Sequence, residues 1–223
     1  MPLTDLSTTI SRTSLADEVY ETLVEAIVNG QLESGSLLSS VELSRQLQVS
    51  RTPVTEALQR LTFDGLVEQV NNRQARVTQL SLEEIEHIYE MRALLEGAAA
   101  ERAANNLSSE QIALLIKEAK QLKARRKEVN WHEQAIEFDL RFHQILADAA
   151  GNKRLRDDIL RYRRLVRCFC RMTGNENNLL SALEEHHEIL KALQEGKPAT
   201  ARKTMVSHIK QRLAAVRVQF YPD

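Results

Sequence analysis

Cysteine is scarce in this chain. Two in 223 residues cannot build a disulfide framework. They stand as Cys168-Phe169-Cys170 inside a predicted helix, where neighbouring positions point apart, so they read as reduced, structural thiols. Proline and glycine are also few, at 4 and 7, which excludes fibrous and low-complexity readings. No charge of one sign dominates: 30 Lys and Arg oppose 31 Asp and Glu, a formal −1. The total therefore does not advertise nucleic acid, and there is no basic tail. No apolar run is long enough to cross a bilayer, and no basic stretch leads into an apolar one at the N-terminus. The expected location is cytoplasmic, with no membrane partner. What is there, 43% hydrophobic and 27% charged, is the composition of a folded chain. Its length allows one large domain or two small ones.

The pattern along the chain splits near residue 80. Residues 1–12 have no strong period and read as a flexible arm. Leu15, Val19, Leu23 and Ile27 recur every four residues and predict a helix that Asn29-Gly30 ends. Leu32 to Leu38 reads as a connection. A short helix follows from Ser39, with Glu42 as its capping-box partner, then a tight turn over Gln48-Val49-Ser50. Another helix runs from Arg51 to Phe63, with Pro53 in its first turn. Leu66–Val70 and Ala75–Leu80 pair as a hairpin. Residues 13–80 thus carry the plan of a winged helix-turn-helix. Residues 81–223 contain no further strand candidate. They predict six amphipathic helices with short loops, starting at Ser81, Ser108, Trp131, Lys153, Leu179 and Pro198. The second of these is expected to reach Val129. The fold class is mostly α: a winged helix-turn-helix at 13–80 followed by an all-α antiparallel bundle at 81–223.

Candidate DNA contacts lie in Ser50 to Arg60. A helix N-terminus carrying Ser50, Arg51, Thr52 and Thr55 suits phosphate positioning and reaches base edges in a major groove. Arg73, beside the hairpin tip, reaches the backbone or minor groove. Charge gives little help: residues 1–80 hold six Arg and no Lys against ten acidic residues, a formal −4. Over residues 41–80 the count is five Arg against four acids. One module is a modest binder, and two in a dimer are the natural remedy.

In the bundle, Asp139 and His143 are four apart and share a helix face. His186 and His208 lie on later helices. One carboxylate and three imidazoles suit a divalent ion, zinc first, with nickel or manganese as alternatives. His87, His132 and His187 compete for the role, and of the adjacent His186 and His187 only one should face an ion. Arg92, Arg141 and Arg163 are candidates to clamp an anionic effector.

Here the chain becomes recognisable. It resembles the GntR family of bacterial transcription regulators, in the FadR-like subgroup whose C-terminal part is the helical FCD domain. The residues that carry the likeness are Leu43-Ser44-Arg45-Gln46-Leu47, Val49 to Val54, Glu56 to Leu61 and Gly65-Leu66-Val67, then Arg92 to Glu96, Asp139-x-x-x-His143, Glu185-His186 and His208-Ile209. The resemblance implies a homodimer on a double-stranded DNA operator of two half-sites, acting as a repressor. A small organic or sugar acid would alter its affinity by joining the coordination sphere of a metal. Asp139, His143, His186 and His208 fall on the family's ligand positions, which favours His186 over His187. Thr55 stands where the family usually has Arg, and the wing reads Asn72-Arg73-Gln74 rather than a glycine-bearing step. That leaves Arg45, Arg51, Thr52 and Arg73 as the stronger contacts. Two other readings stand beside this one: a metal-dependent hydrolase or isomerase, and a dimeric interaction protein with a weakened DNA reader.

Overall fold

Residues 14–173 and 175–220 are described by a computed structural model, with side chains given for all of these except 168–173 and 219–220. The expected arm at 1–12 and the side chains of Cys168 and Cys170 lie outside the described residues. The chain divides into two compact units, Met1–Gln79 and Leu80–Asp223.

The first unit begins with α1, Leu15–Val28. Its Ser14 cap and Asp17 close a capping box, and Ala16, Val19, Tyr20, Leu23 and Val24 turn one buried face inward. That face packs on α3, Arg51–Asp64, through Val54, Ala57, Leu58 and Leu61. Gly65 ends α3 in the left-handed region, φ 80°, a conformation that glycine adopts without penalty. Between these helices lies α2, Ser40–Gln46, whose Ser39 cap accepts the Glu42 amide hydrogen bond. Glu42 does not complete a box; its carboxylate pairs with Arg45 instead.

The expected two-stranded hairpin is a three-stranded antiparallel sheet in the order β1-β3-β2. The strands are β1 (Leu37–Ser39), β2 (Val67–Asn71) and β3 (Gln74–Val77). The segment read as a plain connection supplies β1, with Leu37 opposite Arg76 and Ser39 opposite Gln74. The turn between β2 and β3 is tied back to α2, because the Arg73 carbonyl accepts the Ser40 amide at 3.1 Å.

Among the described residues the second unit is a bundle of six helices: α4 (Leu82–Asn106), α5 (Ser109–Ala124), α6 (Trp131–Ala149), α7 (Lys153–Thr173), α8 (Glu176–Gln194) and α9 (Pro198–Phe220). Ser81 with Glu84 and Ser108 with Gln111 form the predicted capping boxes. Helix α5 stops at Ala124, short of Val129, because residues 125–130 form turns that lead into α6. Helix α8 starts earlier than predicted, capped by Asn175. The core runs through Ile85, Tyr89, Leu115, Trp131, Phe138, Phe142, Leu183, Ile189, Leu190, Met205 and Ile209. Among the described residues no helix is long and apolar enough to cross a membrane.

Helices α4 and α9 pack tightly at Gly97, where a Cβ would sit 2.8 Å from Val206 Cγ2. Gly97→Val should therefore destabilise the bundle by about 2 kcal/mol through overpacking, despite glycine's poor helix propensity. Urea unfolding reads this directly, and a neutral or stabilised variant would show that the two helices are free to part.

Candidate metal centre and DNA-reading face

Four side chains from three helices meet inside the bundle. Asp139 and His143 come from α6, His186 from α8 and His208 from α9, and one ligand atom from each lies within 4.8 Å of all the others. His143 Nε2 is 3.2 Å from His208 Nε2 and 3.7 Å from Asp139 Oδ1. His186 Nε2 is 3.4 Å from the same oxygen. Donors bound about 2.1 Å from one ion stand roughly 3–4 Å apart, so these separations suit a shared centre. All three imidazoles are buried, and Phe142 stacks on His186 at 4.1 Å.

The surroundings fix which atoms face inward. His208 Nδ1 lies 2.7 Å from Glu185 Oε2, and His143 Nδ1 is in close contact with Glu96 Oε2. A carboxylate beside Nδ1 favours the proton there, leaving the Nε2 lone pair for the centre. Arg163 Nη2 donates to Asp139 Oδ2 at 2.6 Å, which leaves Oδ1 toward the histidines. Neither ring nitrogen of buried His186 has a hydrogen-bond partner among the described groups. A cation at the focus would satisfy its Nε2, so the donor set fits a divalent metal.

Electrostatics agree with that polarity. Burial would raise the Asp139 carboxyl, but Arg163 and the histidines outweigh it and hold it well below the usual range. Burial likewise opposes Glu96, and Arg92 with His143 and Arg163 keeps it ionised. Burial, reinforced by Arg163, pushes His143 down to about 4. His186 is also driven well below its ordinary value, by burial and then by His208. At neutral pH the rings of His143 and His186 are thus neutral, each with one lone pair to give.

The proposed anion clamps separate. Arg92 is buried on α4, with its Nε donating to Glu96 at 2.8 Å, and it lines a cavity of about 40 Å³ beside Asp139 and His208. Arg163 is buried against Asp139. Arg141 is not part of this group: it is exposed and pairs with Glu118 of α5. Two residues after Asp139 on one helix, it faces the opposite side. Arg212, not singled out from the sequence, stands by the cavity where Arg141 does not. It lines the cavity and donates to Glu185 at 2.6 Å and to the Asn178 carbonyl at 2.7 Å. Spacing pointed to it, since Arg212 follows His208 by four residues, as Glu96 follows Arg92. Of the competing histidines, His87 is exposed, while His132 and His187 are half-buried away from the cluster.

In the first unit, Ser50, Arg51 and Thr52 are exposed around the first turn of α3. Ser50 caps the helix without a side-chain hydrogen bond. Thr55 is half-buried, and its hydroxyl donates to the Arg51 carbonyl of its own helix. Arg73 is exposed at the strand turn. Arg45 is exposed and bridged to Glu42, a partner that any phosphate must displace.

Two measurements test the centre. Glu96→Gln should lower divalent-metal affinity by about 10–100-fold, because the His143 ring loses the group that orients it. A competitive chelator titration measures this, and an unchanged constant would reduce Glu96 to a structural partner of Arg92. The metal-free protein should also lose stability as pH falls below about 6.5. His143 and His186 have folded pKa values under the unfolded one, so the unfolded chain takes up protons first. For His143 the loss grows until pH reaches about 4 and is on the order of 3 kcal/mol. Thermal melts across that window check the sign.

Comparison with known proteins gives the same division. Residues 15–77 match the family of bacterial regulatory proteins called gntR, and residues 87–211 match the FCD domain. An HTH-type transcriptional regulator in the TAR-I ttuE-ttuC' intergenic region of Agrobacterium vitis is 35% identical over 67% of this chain and 90% of its own length. The transcriptional repressor NanR of Klebsiella aerogenes is 28% identical over 93% of this chain and 87% of its own. The solved structure of E. coli McbR/YncC shares the fold with a TM-score of 0.78 and 23% identity, covering 94% of this chain and all of that one (100%). The two curated relatives are named transcriptional regulators and the family is one of regulatory proteins, not enzymes, so the hydrolase and isomerase readings fall. This chain belongs to the GntR family of bacterial transcriptional regulators, with a gntR-type winged helix-turn-helix followed by an FCD domain.

Proposed function

We propose that this regulator is a homodimeric, cytoplasmic repressor whose FCD domain holds a divalent metal and a small carboxylic acid, and whose operator affinity depends on that acid. The observation that carries the proposal is the convergence of Asp139 Oδ1 with the Nε2 atoms of His143, His186 and His208. Four lone-pair donors directed at one point make sense around a cation. The donor set of three nitrogens and one oxygen suits zinc, and also nickel or manganese. The metal would supply a Lewis-acid docking point for a carboxylate.

Charge supports an anionic effector. Asp139, Glu96 and Glu185 are balanced by Arg92, Arg163 and Arg212. A divalent ion therefore brings positive charge that no protein group in the cluster offsets. A carboxylate entering beside Asp139 and His208 offsets part of it, within reach of Arg92 and Arg212, which line the same cavity. Operator contacts are assigned to Arg45, Ser50, Arg51, Thr52, Thr55 and Arg73, with Arg51 the principal one because it projects from the N-terminus of α3. Operator half-sites would be read by the two copies of that helix. Coupling between acid and operator is a free-energy linkage, typically about 1–3 kcal/mol.

The test begins with an operator selected from randomised duplexes. In a mobility-shift titration, Arg51→Ala should weaken binding at least about tenfold, since one good base or phosphate contact carries roughly 1–3 kcal/mol. His143→Ala should retain operator binding and lose bound metal and the response to added acids. Wild-type operator affinity in Arg51→Ala would remove the reading-face assignment. Full metal occupancy in His143→Ala would remove the metal centre.

A further inference from the structure

Resting on the reading of Arg73 as an operator contact, we infer that Asn71 is the residue that positions it: the Asn71 side chain sets the turn from which Arg73 reaches the DNA. The turn between β2 and β3 has two central residues, Asn72 and Arg73, and the strand register slips between Gln69 and Asn71. Two-residue hairpin turns that match the twist of their strands hold one or both central residues at positive φ. Neither central residue does so here: among the described residues Gln48 alone, apart from glycines, lies in the left-handed region. A turn of this kind gets little support from its own backbone, so other groups must hold it.

Asn71 Oδ1 accepts from the Arg73 amide at 2.9 Å, the two-residue step by which asparagine side chains mimic a backbone turn. Its Nδ2 donates to Gln74 Oε1 at 2.9 Å, on the far side of the turn. Its own carbonyl accepts from the Gln69 side chain. The Arg73 carbonyl meanwhile accepts from the Ser40 amide at 3.1 Å, and Ser40 is buried at the start of α2. Both backbone polar groups of Arg73 are therefore engaged, one by Asn71 and one by α2, while its side chain stands exposed. An arginine on a fixed backbone loses less freedom when it meets DNA than one on a loose turn. The asparagine thus does in this wing what a glycine-bearing turn would do by backbone conformation alone. Asn71 is itself exposed and lies outside the core, so its replacement should leave the fold of the unit in place.

The experiment measures the affinity of the full-length protein for the selected operator by fluorescence anisotropy, in Asn71→Ala, Arg73→Ala and the double variant. Arg73→Ala should weaken binding at least about fivefold. Asn71→Ala should weaken it about three- to tenfold, the range that ordering one long side chain accounts for. The double variant should bind like Arg73→Ala to within about 1.5-fold, because a positioning residue has nothing left to position. Asn71→Ser, whose hydroxyl makes the same turn more weakly, should fall between wild type and Asn71→Ala. Losses that multiply in the double variant would mean that Asn71 acts independently of Arg73, on the DNA or on the fold, and would overturn the inference. So would wild-type affinity in Asn71→Ala beside a weakened Arg73→Ala, which leaves Arg73 standing as a contact. An Asn71→Ser variant no tighter than Asn71→Ala would remove the side-chain acceptor as the cause and overturn it as well. Wild-type affinity in Arg73→Ala would overturn the assignment of Arg73 itself and the inference with it, while Arg51→Ala still judges the face on α3.

Discussion

Lone pairs that face one another need something positive between them, and the interior of this bundle is arranged around that requirement. His143 and His208 present Nε2 atoms 3.2 Å apart because a carboxylate stands behind each ring. Glu96 and Glu185 are therefore part of the centre although neither is a donor to it. They in turn must stay ionised in a buried setting, and guanidiniums make that possible: Arg92 and Arg163 beside Glu96, Arg212 beside Glu185. The chain of dependence runs from arginine to carboxylate to imidazole to focus. Removing one member strands a buried charge, which costs more than the lost contact alone.

The same arrangement suits a binding site better than a catalytic one. A general base works best with a pKa near the working pH. Here Asp139, Glu96 and Glu185 all lie below the usual carboxylate range, because each is paired with arginine or histidine. Such carboxylates hold protons poorly and take them from substrates poorly. His143 and His186 are pushed down as well, so they serve as neutral donors rather than acids at neutral pH. A metal held by these groups would bind and orient an anion beside carboxylates poorly suited to proton transfer.

Much of this was legible in the sequence wherever the signal was local. Ser81 with Glu84 and Ser108 with Gln111 announce helix starts, and the four-residue step from Asp139 to His143 puts both on one face. Signals failed where the deciding partner is distant. Strand β1 has only three residues, too few for a period, and exists because β3 pairs with it. The choice between His186 and His187 is invisible to spacing; burial beside Phe142 decides it. Arg141 shows the opposite case, since its two-residue offset from Asp139 already argued against it. The four-residue steps Arg92 to Glu96 and His208 to Arg212 were equally readable and point to residues the site uses.

The reading face is sparsely charged, and that bears on how a sensor of this kind can act. Arg45 is bridged to Glu42 and the Thr55 hydroxyl is bonded to its own helix, while Arg51 and Arg73 are exposed at the first turn of α3 and at the strand turn. Few phosphate contacts mean a small counterion-release contribution per module. A pair of such modules on two half-sites would bind tightly enough to occupy an operator, but without a large excess. Ligand coupling is typically about 1–3 kcal/mol, or roughly 5–150-fold in affinity. A shift toward the upper end of that range nearly empties an operator held near half-saturation and leaves one held a thousandfold tighter mostly occupied. Replacing Thr55 with an arginine would strengthen the contact with DNA and, by the same arithmetic, weaken the control an acid in the helical domain can exert over it.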